Sequence, residues 1–188
     1  MVFNRGFLPY ARRKYEYPNP RILQSFQPKP AMASVTLSIL TVQKRPEVTL
    51  AVCRGACRLM RQSGYTVLLE MPLPDGRRAD IFSIGPSGEL AIVEVKSSIE
   101  DWRVDEKWPA YLDWCDLFYV AVPVDFPQPL IPEDAGLIVA DAYGGAILRP
   151  SVRRPVVAAR RKSLLIEGAR LAAERLARLE DPDFDMLA

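Results

Sequence analysis

Apolar residues return at Val48, Val52, Ala56, Leu59 and Met60, at the spacing of three and four that marks one face of a helix. Pro46 suits the first turn of that helix, Glu47 suits its positive end, and "SGY" at 63–65 stops it. The period then shortens to two. Residues 66–73, 77–84 and 90–96 read as strands, joined by "PDG" and "GPSGE", both with hairpin-turn chemistry. Ser98 with Asp101 resembles a capping box opening a second helix, which Pro109 kinks or restarts before "YLDWC". "LFYVAVP" reads as a fully buried strand, and "GLIVADAYG" with "AILRP" as a terminal strand pair. A last helix spans about 157–179, its expected seam being Leu165, Ala169, Ala172, Leu176 and Leu179. No internal repeat is visible. The order α, β-hairpin-β, α, β, ββ, α predicts an α/β fold, a mixed β-sheet flanked by helices.

Residues 1–45 show neither period, and their prolines, basic residues and scattered aromatics predict a disordered tail before a domain at 46–188. Met32 is an alternative start for the chain. The whole sequence, 188 residues with 49% apolar and 26% charged side chains, is that of a soluble globular protein with one domain and an appendage. Its net charge of +2 is too small to announce a nucleic-acid binder, so any such claim must rest on local charge. No stretch approaches the ~20 apolar residues of a membrane span, and "AMASVTLSIL" is a poor signal peptide without a cleavage site. A cytoplasmic location without membrane contact is expected.

Histidine is absent, which removes imidazole bases, Ser-His-Asp and Cys-His triads, and HExxH zinc sites. Cys53, Cys57 and Cys115 lack CxxC spacing and read as small buried apolar side chains in a reducing compartment. Chemistry is therefore left to carboxylates, lysine, hydroxyls or a hard cation. Strand parity points to where. Leu90, Ile92, Glu94 and Lys96 share one face of their strand. A five-residue "GPSGE" loop would set Asp80 opposite Glu94, and a three-residue "PDG" loop would set Glu70 opposite Asp80. A slip of one residue would send part of this row to the other face. Adjacent half-buried carboxylates repel unless something positive lies between them. Lys96 offers one charge, and Mg²⁺ or Mn²⁺, suited to oxygen ligands, offers two. A cation so held can activate a water for phosphodiester hydrolysis, with Lys96 steadying the water or the developing charge. The plainer reading of "EVK" alone is a same-face ion pair worth ~0–1 kcal/mol.

At these residues the sequence resembles the PD-(D/E)xK nuclease superfamily, with Asp80 as the motif aspartate and "EVK" as the (D/E)xK. More narrowly, "ARGACRL", "GRRAD", "IVEVKSS", "DEKWPAYLDWCD" and "PEDAGLIVADAYG" look like the MmcB family of bacterial DNA-repair proteins. The resemblance implies a restriction-endonuclease-like core and a Mg²⁺-dependent nuclease site. Asp80 and Glu94 would bind the metal, with help from the Val95 carbonyl, and Lys96 would be catalytic. Ala79 stands where the superfamily pattern has proline. Glu47 is the only acid on the first helix, so Glu70 fits better as a further catalytic carboxylate.

DNA is the expected partner, with other repair proteins as further candidates, and Arg77, Arg78 and Lys107 could contact phosphate. "RRPVVAARRK" is a candidate phosphate-contacting edge. Trp102, Trp108 and Trp114 are expected to pack rather than stack on bases. Two rival readings remain: a non-catalytic DNA-binding or repair-complex module that keeps the fold, and a protein-interaction subunit.

Overall fold

The computed structural model describes residues 45–105 and 107–181, all within the unit Val42–Ala188. The expected tail and Met32 lie outside the described residues. Helix α1, Arg45–Gln62, buries Val52, Ala56 and Met60. It stops where Gly64 takes a φ of 87° and the Tyr65 amide donates to the Met60 carbonyl, the left-handed C-terminal cap that glycine makes cheap.

Six strands follow: β1 Thr66–Pro72, β2 Arg78–Ile84, β3 Leu90–Val95, β4 Leu117–Val122, β5 Gly136–Ala140 and β6 Gly145–Arg149. They form one sheet in sequential order. β1, β2 and β3 are antiparallel neighbours, β3–β4 and β4–β5 are parallel, and β6 returns antiparallel to β5. With helices on both faces, this is the mixed α/β architecture expected of a restriction-endonuclease-like core. Both hairpin registers agree with the loop lengths. Leu73 N donates to Arg77 O across "PDG", and Gly85 N to Glu89 O across "GPSGE", each at 2.8 Å. Ile84 consequently faces Leu90.

One side of the sheet carries α1 over Ile81, Ala91, Val93, Ala121 and Ile138. The other carries a larger cluster, Met71, Phe82, Leu90, Ile92, Phe118 and Val120 among it. Over this second side pass the β3–β4 crossover and α3, Ala158–Glu180. The crossover holds a short helix, α2, Ile99–Arg103, then a 3-10 helix, Trp108–Asp113. Ser98 caps α2 as expected, accepting from the Asp101 amide at 3.2 Å. As expected of Pro109, the helix does not run on but restarts, as a separate 3-10 turn. The tryptophans pack: Trp108 stacks on Phe118 at 5.6 Å, Trp102 Nε1 donates to Leu130 O, and Trp114 Nε1 donates to Asp75.

The seam of α3 differs from expectation. Its inward line is Arg161, Leu164, Gly168, Leu171 and Arg175, whereas Ala169, Ala172, Leu176 and Leu179 face solvent. Two arginines turn inward because they find acceptors there. Arg161 binds Asp116 through both terminal nitrogens, at 2.6 and 2.7 Å. Arg175 donates to the main-chain carbonyls of Leu69 and Glu70. The basic run is likewise mostly structural: Arg154 bonds Asp134, and Arg160 lies over the Trp114 ring. Cys53 and Cys57 are half-buried rather than buried, and Cys115 alone is buried.

Candidate active site

β2 and β3 part at one point. Ile81↔Val93 is the last pair of their ladder, while β3 continues along β4 to Val95↔Ala121 and a Lys96 N to Ala121 O bond of 2.9 Å. In the fork, side chains replace the missing ladder bonds. Asp80 N donates to Glu94 Oε1 at 3.3 Å, and Val95 N donates to Asp80 Oδ2 at 2.8 Å. Each carboxylate thus reaches the other strand's backbone, as the register of 80 opposite 94 requires.

The electrostatics of the pair are unfavourable without a counter-charge. Glu94 is 4% exposed. Burial, then the negative charge of Asp80, raises its pKa to about 8. Asp80 is also raised, by burial above all, although the Val95 amide and Lys96 oppose the shift. Lys96 is nearly buried, with its Nζ 2.6 Å from Asp105 Oδ2. Burial alone would lower its pKa, but the hydrogen bond and charge of Asp105 outweigh that, so the ammonium is held.

Beside the fork lies a cavity of about 300 Å³ lined by Arg77, Glu94, Lys96, Asp101, Val104, Asp105, Lys107 and Tyr111. Tyr111 donates to the Arg78 carbonyl at 3.2 Å and lies parallel to Phe118. Its pKa is raised by burial and by the charge of Glu94. Asp105 and Tyr111 were not legible as site residues. The only hint is that a helix capped at Ser98 must turn back past the end of β3, which brings the following residues over Lys96.

Glu70 departs from the expected row. The β1–β2 register does set it between Leu69↔Ile81 and Met71↔Ala79. Its φ of 52°, however, breaks the alternation of the strand. Leu68 and Met71, an odd number apart, therefore pack on the same side of the sheet. The irregularity spans both strands, since Ala79 packs on one side and Ile81 on the other. Glu70 pairs with exposed Arg78 and does not line the cavity; its carbonyl and that of Leu69 go to Arg175. Asp80 also stands off the cavity lining. Of the expected phosphate contacts, Arg77 binds Asp75 at 2.6 Å, Arg78 binds Glu70, and Lys107 stands exposed at the cavity.

With this geometry in place, comparison with known proteins has a clear result. The MmcB-like DNA repair proteins match residues 38–183, most of the chain and all of the described sheet. The chain belongs to the MmcB-like family. Among solved structures, a protein of unknown function from Silicibacter pomeroyi is similar, with a TM-score of 0.69 and 39% identity. The likeness covers 72% of this chain and 92% of that one. No curated protein matches. Membership of the MmcB-like family supports a DNA repair role for the chain. No described helix is long and apolar enough to cross a membrane.

Proposed function

We propose that this MmcB-like protein hydrolyses DNA phosphodiester bonds at the β2–β3 fork, on the PD-(D/E)xK plan and with Mg²⁺ or Mn²⁺. The observation that carries the reading is the pair of carboxylates, buried Glu94 and half-buried Asp80, each bonded across the fork and both raised in pKa. Among the described residues no group of three or more His, Cys, Asp or Glu is gathered for a metal. A hard divalent cation fits nonetheless, because Mg²⁺ commonly takes one or two carboxylates and fills its other positions with water and substrate phosphate. Asp80 and Glu94 would hold it, with the Val95 carbonyl as a further oxygen. Bound there, the cation would acidify a water and neutralise phosphate charge.

The chain's own groups account for the rest. Glu94 gives up its proton as it ionises. Lys96, kept charged by Asp105, orients the attacking water or balances the charge developing on the phosphate. Arg77 and Lys107, on the cavity wall, position the neighbouring phosphates. Glu70, turned toward Arg78, has no step assigned to it. The test is incubation with single-stranded, duplex, flap and junction DNA in Mg²⁺ or Mn²⁺. Cleavage is expected, with a loss of about 100-fold or more in Asp80→Ala and Lys96→Ala. Absence of cleavage on every substrate, or cleavage indifferent to Asp80→Ala, would refute it.

A second reading, a DNA-binding repair module without catalysis, is favoured by one observation: Lys96 is already paired, to Asp105 at 2.6 Å. It predicts salt-sensitive DNA binding that survives Glu94→Ala and Lys96→Ala.

A further inference from the structure

The arginines singled out from the sequence mostly have acceptors inside the protein, so unpaired positive charge must be sought elsewhere. It lies on α1. Arg54, Arg58 and Arg61 are exposed at positions i, i+4 and i+7, one ridge of the helix, opposite the face that buries Val52, Ala56 and Met60. Among the described residues Arg54 and Arg61 have no hydrogen-bond or ion-pair partner, and Arg58 uses one nitrogen on the Ala142 carbonyl at 2.6 Å.

That bond anchors the β5–β6 turn, which carries Tyr143 with 86% of its surface exposed. The exposure does not come from a loose loop. Asp141 Oδ1 accepts from Tyr143 N and Gly144 N, and Asp141 N donates to Gly144 O. The turn is also seated on α1 at Gly55, where a Cβ would lie 2.1 Å from the Asp141 carbonyl oxygen and 2.3 Å from that of Gly144. An aromatic ring is therefore held in water on a fixed turn beside an arginine ridge.

We propose that the outer ridge of α1 and Tyr143 form a binding surface for single-stranded DNA, the arginines taking phosphates and Tyr143 stacking on a base. A rigid aromatic among cations is what an unpaired strand offers partners for, because its bases expose their faces. A duplex hides them. The proposal rests on the reading of the chain as acting on DNA, and names the form of DNA it holds. It does not depend on the metal site.

The test is fluorescence anisotropy of the full chain with an end-labelled single-stranded oligonucleotide in EDTA, so that nothing is cut. Arg54→Gln combined with Arg61→Gln should weaken binding about tenfold at low salt. It should also flatten the logarithmic salt slope by about 1.4, at roughly 0.7 per phosphate contact. Tyr143→Ala should cost about 5- to 100-fold on the single strand, leave duplex binding unchanged, and be rescued by Tyr143→Phe. Variants that bind as well as wild type overturn the proposal while DNA binding itself stands. Wild type that binds no DNA overturns both. Preference for RNA of the same sequence, or displacement by polyglutamate at equal charge, overturns the assignment to DNA.

Discussion

At the Leu90 end of β3, the Asp116 carboxylate accepts from Leu90 N at 2.7 Å, Val156 N at 2.9 Å, and both terminal nitrogens of Arg161. At the Val95 end, Glu94 accepts from Asp80 N at 3.3 Å and faces another carboxylate. Both residues are buried, and their acidities separate. Burial works against Asp116, but the Arg161 hydrogen bonds and two amides hold its pKa at about 2. Burial and Asp80 push Glu94 up to about 8. A carboxylate surrounded by donors ties elements together; one short of donors carries an unbalanced charge whenever it ionises.

The comparison can be broken at either end. Asp116→Ala leaves the Arg161 guanidinium and two buried amides without an acceptor, and should lower stability by about 3–5 kcal/mol in urea denaturation. Glu94 should behave oppositely. Its folded pKa is raised, so its favourable contribution is complete below the unfolded value of about 4.3 and disappears as pH climbs through about 8. Metal-free Glu94→Gln should thus be roughly 2–4 kcal/mol more stable than wild type at pH 9, and little different below pH ~5. Asp116 has a depressed folded pKa, so its contribution is present above about 3.9 and is lost as pH falls through about 2. Denaturation curves across pH should show these opposing slopes, with only the alkaline one removed by Glu94→Gln. Glu70 sharpens the contrast from the surface. It is exposed and paired with exposed Arg78, so Glu70→Gln should change stability by no more than ~1 kcal/mol in the same assay.

What could be read from the sequence was whatever depends on parity and turn length. The odd loops "PDG" and "GPSGE" fix which residues oppose each other, and Asp80 meets Glu94 for that reason. Failures came where one residue's conformation or partner breaks a pattern. Glu70 adopts a left-handed φ that β-propensity argues against, stabilised by Arg175 from a helix about a hundred residues away in sequence. The seam of α3 was placed by apolar residues, but Arg161 and Arg175 compete for the inward face once Asp116 and free carbonyls lie beneath them. Asp105 reaches Lys96 through the crossover, a contact that neither helical nor strand period encodes. The site's central pair was local enough to be legible; its surroundings were tertiary.

Titration calorimetry of Mg²⁺ and Mn²⁺ into wild type, Asp80→Ala and Glu94→Gln near pH 7, in buffers of differing ionisation enthalpy, tests the central claim most directly. Binding should release about one proton in wild type, because Glu94 must ionise to accept the cation, and should be lost in both variants. No binding by wild type, or equal binding by Glu94→Gln with no proton released, would contradict the account.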